Sequence, residues 1–115
     1  MTRITVTIGQ KVLTATLDDT PAGRDFARLL PLHLELTDYH GIEKIANLPR
    51  KLDTSGAPRS YEPAPGDITL YAPWGNLAIF YKPFNKTAGL VRLGAFDGPL
   101  DALMGNPTAR FDLAE

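Results

Sequence analysis

The sequence predicts a mainly β fold, a closed antiparallel β-barrel of about eight strands with one or two short α-helices. Several segments alternate apolar and polar residues with the two-residue period of a strand. Ten prolines and ten glycines divide the 115 residues into short elements, and a hydrophobic content of 43% is sufficient for a buried core. Closure into a barrel is favoured because it leaves no strand edge unpaired. We expect residues 1–115 to form a single domain.

The chain begins with a predicted hairpin. Alternating apolar residues in segments 4–8 and 13–17 indicate two strands, and residues 9–11 supply the turn between them. One face of each strand is apolar and the other is rich in threonine, so we expect the hairpin to cover one side of the core.

A helix is expected after the hairpin. Thr20 is a suitable N-cap, and Pro21 occupies the first helical position, where its missing N–H does no harm. Pro31 is expected to end the helix after about three turns. Its apolar face consists of Ala22, Phe26, Leu29 and Leu30. Its charged face, expected to point to solvent, consists of Arg24, Asp25 and Arg28. Gly23 is expected to weaken this helix slightly.

The remaining strands are indicated by the same patterns at residues 32–37, 42–46, 67–72, 77–81, 90–93 and 110–113. Residues 77–81 are apolar on both faces, which is typical of a central strand covered on both sides. Residues 94–98 are expected to form a loop and residues 99–104 one or two helical turns. Residues 49–66 contain four prolines and two glycines without a sustained period. Loops this long are usually functional or mobile.

Charge and composition exclude several classes of function. The net charge of −1 gives no overall field that attracts nucleic acid or an anionic membrane. Because the chain has no cysteine, disulfides, thiolate metal sites and cysteine nucleophiles are excluded. Residues 1–10 lack the apolar stretch of a signal peptide, and no apolar run approaches the length of a transmembrane helix. We therefore expect a cytoplasmic protein that binds neither nucleic acid nor membrane.

No motif indicates a cofactor, a metal or a nucleophile. His33 and His40, with the carboxylates near them, lack the spacing of a metal site. Ser55 and Ser60 are the only serines, and no GxSxG sequence is present. The glycines show no phosphate-binding pattern. We expect no metal and no cofactor.

Four segments carry a family resemblance: residues 45–53 (IANLPRKLD), 66–67 (GD), 71–81 (YAPWGNLAIFY) and 93–98 (LGAFDG). In these segments the chain resembles the bacterial cyclophilin-like fold proteins, and the match spans nearly the whole chain. The resemblance implies a cyclophilin-type β-barrel with a helix at each end. True cyclophilins, to which the similarity is fainter, isomerise peptidyl-prolyl bonds.

The residues that serve isomerisation in true cyclophilins are poorly matched. That family uses an arginine near the proline ring, a phenylalanine-lined pocket and a glutamine. In the corresponding segment, residues 41–50, the arginine position falls at or near Lys44, and the phenylalanine and glutamine have no counterpart. Lysine lacks the planar donor fork of arginine, so the exchange is not conservative. A prolyl isomerase that uses Lys44 or Arg50 instead is therefore the alternative hypothesis, and a non-catalytic protein is the leading one.

The candidate ligand-binding residues surround the single tryptophan. Trp74 lies in a predicted turn, where its large amphipathic ring either lines a cleft or plugs one end of the barrel. A long loop folded over the same end would complete a groove for a peptide or small-molecule ligand. The candidate residues are Leu48, Pro49, Arg50, Tyr61, Trp74 and Phe84. The sequence thus favours a non-catalytic binding module, and a homodimer formed through an apolar strand face is a further hypothesis.

Overall fold

The computed structural model describes residues 1–114 and contains one α-helix, α1 (Pro21–Ala27), one turn of 3-10 helix (Asp101–Leu103) and eleven strands. The strands are β1 (Thr2–Ile8), β2 (Lys11–Leu17), β3 (Leu32–Glu35), β4 (Thr37–Tyr39), β5 (Glu43–Asn47), β6 (Ser60–Tyr61), β7 (Asp67–Tyr71), β8 (Asn76–Phe80), β9 (Thr87–Ala88), β10 (Leu90–Phe96) and β11 (Thr108–Leu113).

Nine strands form one antiparallel sheet in the order β3-β11-β1-β2-β10-β7-β8-β5-β4. Its two end strands, β3 and β4, follow one another in the chain and are separated by Leu36 alone. The segment 32–39 therefore pairs with β11 through β3 and with β5 through β4, and the sheet curls into a nearly closed barrel. With β3 and β4 counted as one interrupted strand, the nine become eight, and the predicted mainly β barrel is confirmed.

The interior of the barrel is a packed apolar core. Phe26 of α1 packs edge-on against Phe111 of β11, with 6.0 Å between the ring centroids, and both side chains are fully buried. Burying a ring of this size contributes about 1.5–3 kcal/mol. The helix begins as predicted, because the Oγ1 of Thr20 accepts a hydrogen bond from the Gly23 N–H at 3.0 Å.

A smaller apolar cluster lies on the outer face of the barrel. Ala78, Phe80 and Leu90 are its buried members. Along β8 these outer residues alternate with inner ones, so all five residues of the strand are buried. The prediction of a central strand covered on both faces is confirmed. Tyr61, from the two-stranded ribbon of β6 and β9, packs against this cluster.

Both predicted helices are shorter than expected. The α-helix ends at Ala27, because the N–H groups of Leu29 and Leu30 donate to the carbonyls of Phe26 and Ala27, three residues back rather than four. Residues 99–104 contain only the 3-10 turn. The protein thus has a single α-helix within residues 1–114.

Two glycines mark places where backbones approach closely. A Cβ on Gly23 would lie 2.2 Å from the carbonyl oxygen of Asp18. Gly23 therefore permits the contact between α1 and the preceding segment, although glycine has poor helix propensity. A Cβ on Gly94 would lie 2.3 Å from the carbonyl oxygen of Thr16 on β2. The prediction of a loop at residues 94–98 is wrong at its start, since β10 continues through Gly94 to Phe96.

The prediction that Asp25 faces solvent is also wrong. Its side chain is buried and accepts hydrogen bonds from Arg50 at 2.8 and 2.9 Å. The backbone N–H of Asp53 donates to the same carboxylate at 2.8 Å. Helix periodicity placed Asp25 on the charged face, but a partner 25 residues away in the chain decides its environment.

Candidate functional site

A groove of about 220 Å³ lies on the outer face of the barrel. Most of its wall is aromatic or aliphatic, and β5 and β8 form its floor. The lining residues are Tyr39, Glu43, Ile45, Tyr71, Trp74, Asn76, Phe80, Phe84, Thr87 and Leu90. We call this depression the aromatic groove.

Three aromatic side chains form a right-angled corner at the rim of the aromatic groove. The ring of Trp74 stands at 83° to the ring of Tyr71 and at 88° to that of Tyr39, with centroid distances of 5.3 and 6.2 Å. Trp74 is 65% exposed, so the interpretation that it plugs the barrel is wrong. The turn that carries Trp74 is held by its N–H, which donates to the Tyr71 carbonyl at 3.2 Å.

Two phenylalanines form another part of the wall. Phe80 is buried at the floor, and Phe84 stacks on it with a centroid distance of 6.1 Å and an interplanar angle of 23°. Phe84 is 39% exposed. The groove therefore offers aromatic surface that the protein's own core does not cover.

Glu43 is the charged residue in the lining of the aromatic groove. It pairs with Tyr39 on β4 and with Phe80 on β8, which places it among the aromatic side chains. Burial raises the pKa of Glu43, and no hydrogen bond or ion pair offsets that effect within residues 1–114. A half-buried carboxylate without a partner is electrostatically unfavourable, so this group is available to a cation.

Asn76 adds a polar group at the end of β8. Its side chain is buried, and its Nδ2 donates to the Leu77 carbonyl at 3.0 Å. Its Oδ1 is buried without a hydrogen-bond partner among the described residues. An unsatisfied buried acceptor is rare in folded proteins.

A second cavity, of about 400 Å³, lies between the start of α1 and the loop around residues 55–58. Arg92 donates to Asp18 at 2.9 Å and to Asp67 at 3.1 Å, and Tyr61 donates to Asp67. Burial opposes the charge of Arg92, but the hydrogen bonds and the two carboxylates outweigh it and raise the pKa of its guanidinium. The charges of this cavity are thus paired within the protein, unlike Glu43 in the aromatic groove.

The comparisons with known proteins identify the family. The model of the cyclophilin-like family matches residues 6–113. The chain belongs to the cyclophilin-like family. The solution structure of a hypothetical protein from Archaeoglobus fulgidus is similar, with a TM-score of 0.69 and 13% sequence identity over 98% of this chain and 95% of that one. At this identity the likeness shows the fold alone. No curated protein matches the chain.

The cyclophilin-like domain brings together only some of the predicted ligand-binding residues. Trp74 and Phe84 both line the aromatic groove, whereas Tyr61 lines the second cavity. Three others lie in neither: Leu48 packs against the main core, and Pro49 and Arg50 are at the surface.

The two residues of the isomerase hypothesis lie apart from the aromatic groove. Lys44 points to the opposite face of β5 from Glu43; its ammonium group donates to the Gly105 carbonyl and lies 3.3 Å from Asp38. Arg50 is held by Asp25. Both cations are therefore engaged by partners within the cyclophilin-like domain.

Asp38 is also the acceptor for a hydroxyl group. The hydrogen bond from Tyr81 lowers the pKa of Asp38 and raises the pKa of Tyr81 to about 12. This network fixes Lys44 on the side of β5 that faces away from the groove.

Sequence reasoning missed Tyr39, Glu43 and Asn76 as groove residues. The sequence of β5 does not alternate polar and apolar residues, so it gave no signal of which face lies outward: in the structure Lys44 and Ala46 are buried, while Glu43 and Ile45 face the groove. Which face lies outward follows from the pairing of β5 with β4 and β8, and that register is a long-range property.

Two further features are absent from residues 1–114 of the cyclophilin-like domain. In the part of the chain that the structure describes, no group of three or more histidine, aspartate or glutamate side chains is arranged to hold a metal ion. None of the helices within residues 1–114 combines the length and apolar character needed to cross a membrane.

Proposed function

We propose that this cyclophilin-like domain is a non-catalytic binding module that takes a peptide or small-molecule ligand in the aromatic groove. The observation that carries the proposal is the corner of the exposed Trp74 with the half-buried Tyr71 and Tyr39, in a groove that the buried Phe80 also lines. Ligand sites are typically concave and largely apolar, with a few polar groups that orient the ligand. Glu43 and Asn76 supply those polar groups.

The corner is built on paired strands and a hydrogen-bonded turn, which favours binding. Tyr39 and Tyr71 belong to strands of the barrel, and Trp74 lies in the turn between β7 and β8. A backbone fixed by strand pairing and turn hydrogen bonds loses little conformational freedom when a ligand binds. The exposed area of Trp74 and Phe84 is apolar surface that a ligand would remove from water.

We propose binding without isomerisation because the lining of the aromatic groove includes a carboxylate and no basic side chain. Lys44 and Arg50 are engaged by Asp38 and Asp25. A cation that must leave a partner before reaching a substrate is poorly suited to stabilise a twisted amide.

The fluorescence of Trp74, the single tryptophan, tests the proposal directly. The purified protein would be titrated with proline-containing peptides and with a library of small metabolites, and a saturable change for at least one of them is expected. Phe84→Ala should weaken that response by about tenfold, because it removes one wall of the groove. Met104→Ala is the matched control, since Met104 is similarly exposed at 47% and lies outside the groove.

Two outcomes would contradict the binding proposal. One is a flat fluorescence response across both libraries together with no retained ligand in native mass spectrometry of the purified protein. The other is a response that Phe84→Ala and Met104→Ala alter equally, which would place the ligand elsewhere.

A further inference from the structure

The charge of the aromatic groove is one-sided. Its ten lining residues include one carboxylate, Glu43, and no lysine, arginine or histidine. The nearest basic side chain on β5, Lys44, is buried on the opposite face of that strand. Among the lining residues, the electrostatic character is therefore set by Glu43 and by the faces of the aromatic rings, while His40 packs against the ring of Tyr39 with a centroid distance of 4.2 Å.

The position of Glu43 makes its charge accessible to a ligand. Register places it directly between Tyr39 and Phe80, and the side chain is half-buried in the lining of the groove. Within residues 1–114 no donor or cation is bonded to this carboxylate. Because water is partly excluded there, an arriving cation meets a less screened charge than it would at an exposed glutamate.

The corner of Trp74, Tyr71 and Tyr39 adds a second attraction for a positive charge. The faces of tyrosine and tryptophan rings are electronegative, and a cation within about 6 Å of a ring centroid is attracted to them. The rings of Tyr39 and Tyr71 each meet Trp74 nearly at right angles, so ring faces point in more than one direction around the rim. Such an open aromatic corner beside a carboxylate is complementary to an organic cation.

We propose that the ligand of the aromatic groove is a small organic cation whose ammonium group lies between Glu43 and the Tyr39–Trp74–Tyr71 corner. This inference rests on the proposed binding function and specifies the chemistry of the ligand. The groove volume of about 220 Å³ suits a compact molecule better than a segment of folded protein.

A matched pair of probes separates charge from shape. Choline carries a permanent positive charge, and 3,3-dimethyl-1-butanol is its neutral analogue of nearly the same shape. Isothermal titration calorimetry on the full chain should show that choline binds about tenfold more tightly than the neutral analogue. Glu43→Gln should reduce that preference by about tenfold while leaving the affinity for the neutral analogue unchanged.

Two further variants make the result specific. Glu35→Gln removes an exposed carboxylate on β3, outside the groove, and should leave the preference for choline unchanged. Trp74→Leu keeps an apolar side chain but removes the ring, so it should weaken the binding of choline more than the binding of the neutral analogue. Because Trp74 is 65% exposed, this variant should fold even if Glu43→Gln does not.

The outcomes distinguish this inference from the binding function. Equal affinity for the two probes, or an unchanged preference in Glu43→Gln, would overturn the assignment of a cationic ligand while leaving the groove a binding site. Failure of both probes to bind at millimolar concentration would also overturn the assignment of a cationic ligand. A lysine-containing peptide that binds while choline does not would refute the small-molecule assignment.

Discussion

Asp25 of α1 and Arg50 of the loop after β5 form a two-pronged ion pair, with nitrogen–oxygen distances of 2.8 and 2.9 Å. The carboxylate is buried, whereas about half of the arginine side chain is exposed. Asp53 adds a backbone N–H at 2.8 Å. One helical residue thus anchors both sides of residues 51–52, and Leu52 between them is buried in the main core.

Asp25→Asn should therefore destabilise the protein substantially. The substitution removes the charge that faces Arg50 and weakens a charge-assisted hydrogen bond, so we expect a loss of about 1.5–3 kcal/mol in the free energy of unfolding. Urea denaturation measures this loss. Asp19→Asn is the control, since Asp19 pairs with Arg24 at 2.6 Å on the exposed surface and should matter much less. Equal losses in the two variants would argue against a special role for Asp25.

The same pair predicts a pH dependence of stability. The hydrogen bonds from Arg50 and Asp53 hold the pKa of Asp25 well below its usual value of 3.8. A carboxylate with a lowered pKa stabilises the folded state fully above pH 3.8, and its contribution declines as the pH falls further toward the folded-state pKa. The stability difference between the wild type and Asp25→Asn should shrink between pH 6 and pH 2.5, as urea titrations at each pH would show. A constant difference across this range would refute the assignment.

Gly23→Ala should destabilise the protein although alanine is the better helix former. The new Cβ would meet the carbonyl oxygens of Asp18 and Leu93 at 2.2 and 3.1 Å, and neither backbone atom can move aside freely. We expect a net loss of about 1–3 kcal/mol, which exceeds the gain of about 1 kcal/mol in helix propensity. Gly98→Ala, where a Cβ meets nothing within 4 Å, should leave the thermal midpoint nearly unchanged. A rise in the midpoint of Gly23→Ala would show that the contact relaxes easily.

Trp74→Leu should have little effect on stability. Trp74 is 65% exposed, so its replacement should change the free energy of unfolding by less than about 1 kcal/mol. Phe80→Ala, at the buried floor of the same groove, should lower the free energy of unfolding by about 3–5 kcal/mol. Chemical denaturation of the two variants provides the comparison. A large loss in Trp74→Leu would restore the view that this ring belongs to the core.

Local patterns were sufficient for most of the fold. The alternation of Ile4 and Val6 predicted β1, and the sequence Thr20-Pro21 predicted the start of α1. The strands β6 and β9 were missed because two residues each are too few to show a period. Gly94 was assigned to a loop because its role, a close approach to β2, depends on a distant partner.

The candidate site was less accessible to sequence reasoning. Trp74 and Phe84 stood out as large aromatic residues near turns, and both line the groove. Glu43 gave no local signal, because a glutamate in a short strand is ordinarily a solvated residue. Its importance arises only when the pairing of β5 with β4 and β8 surrounds it with aromatic rings. Charge and register together, rather than composition, define this site.

The position of β11 in the sheet also bears on the order in which the chain folds during synthesis. This strand, at residues 108–113, pairs with β1 on one side and with β3 on the other. A chain emerging from the ribosome can form the β1–β2 hairpin early, but β1 and β3 lack a shared neighbour until residues 108–113 follow. Contacts this distant in sequence slow folding. Completion of the barrel is therefore expected to await the synthesis of β11.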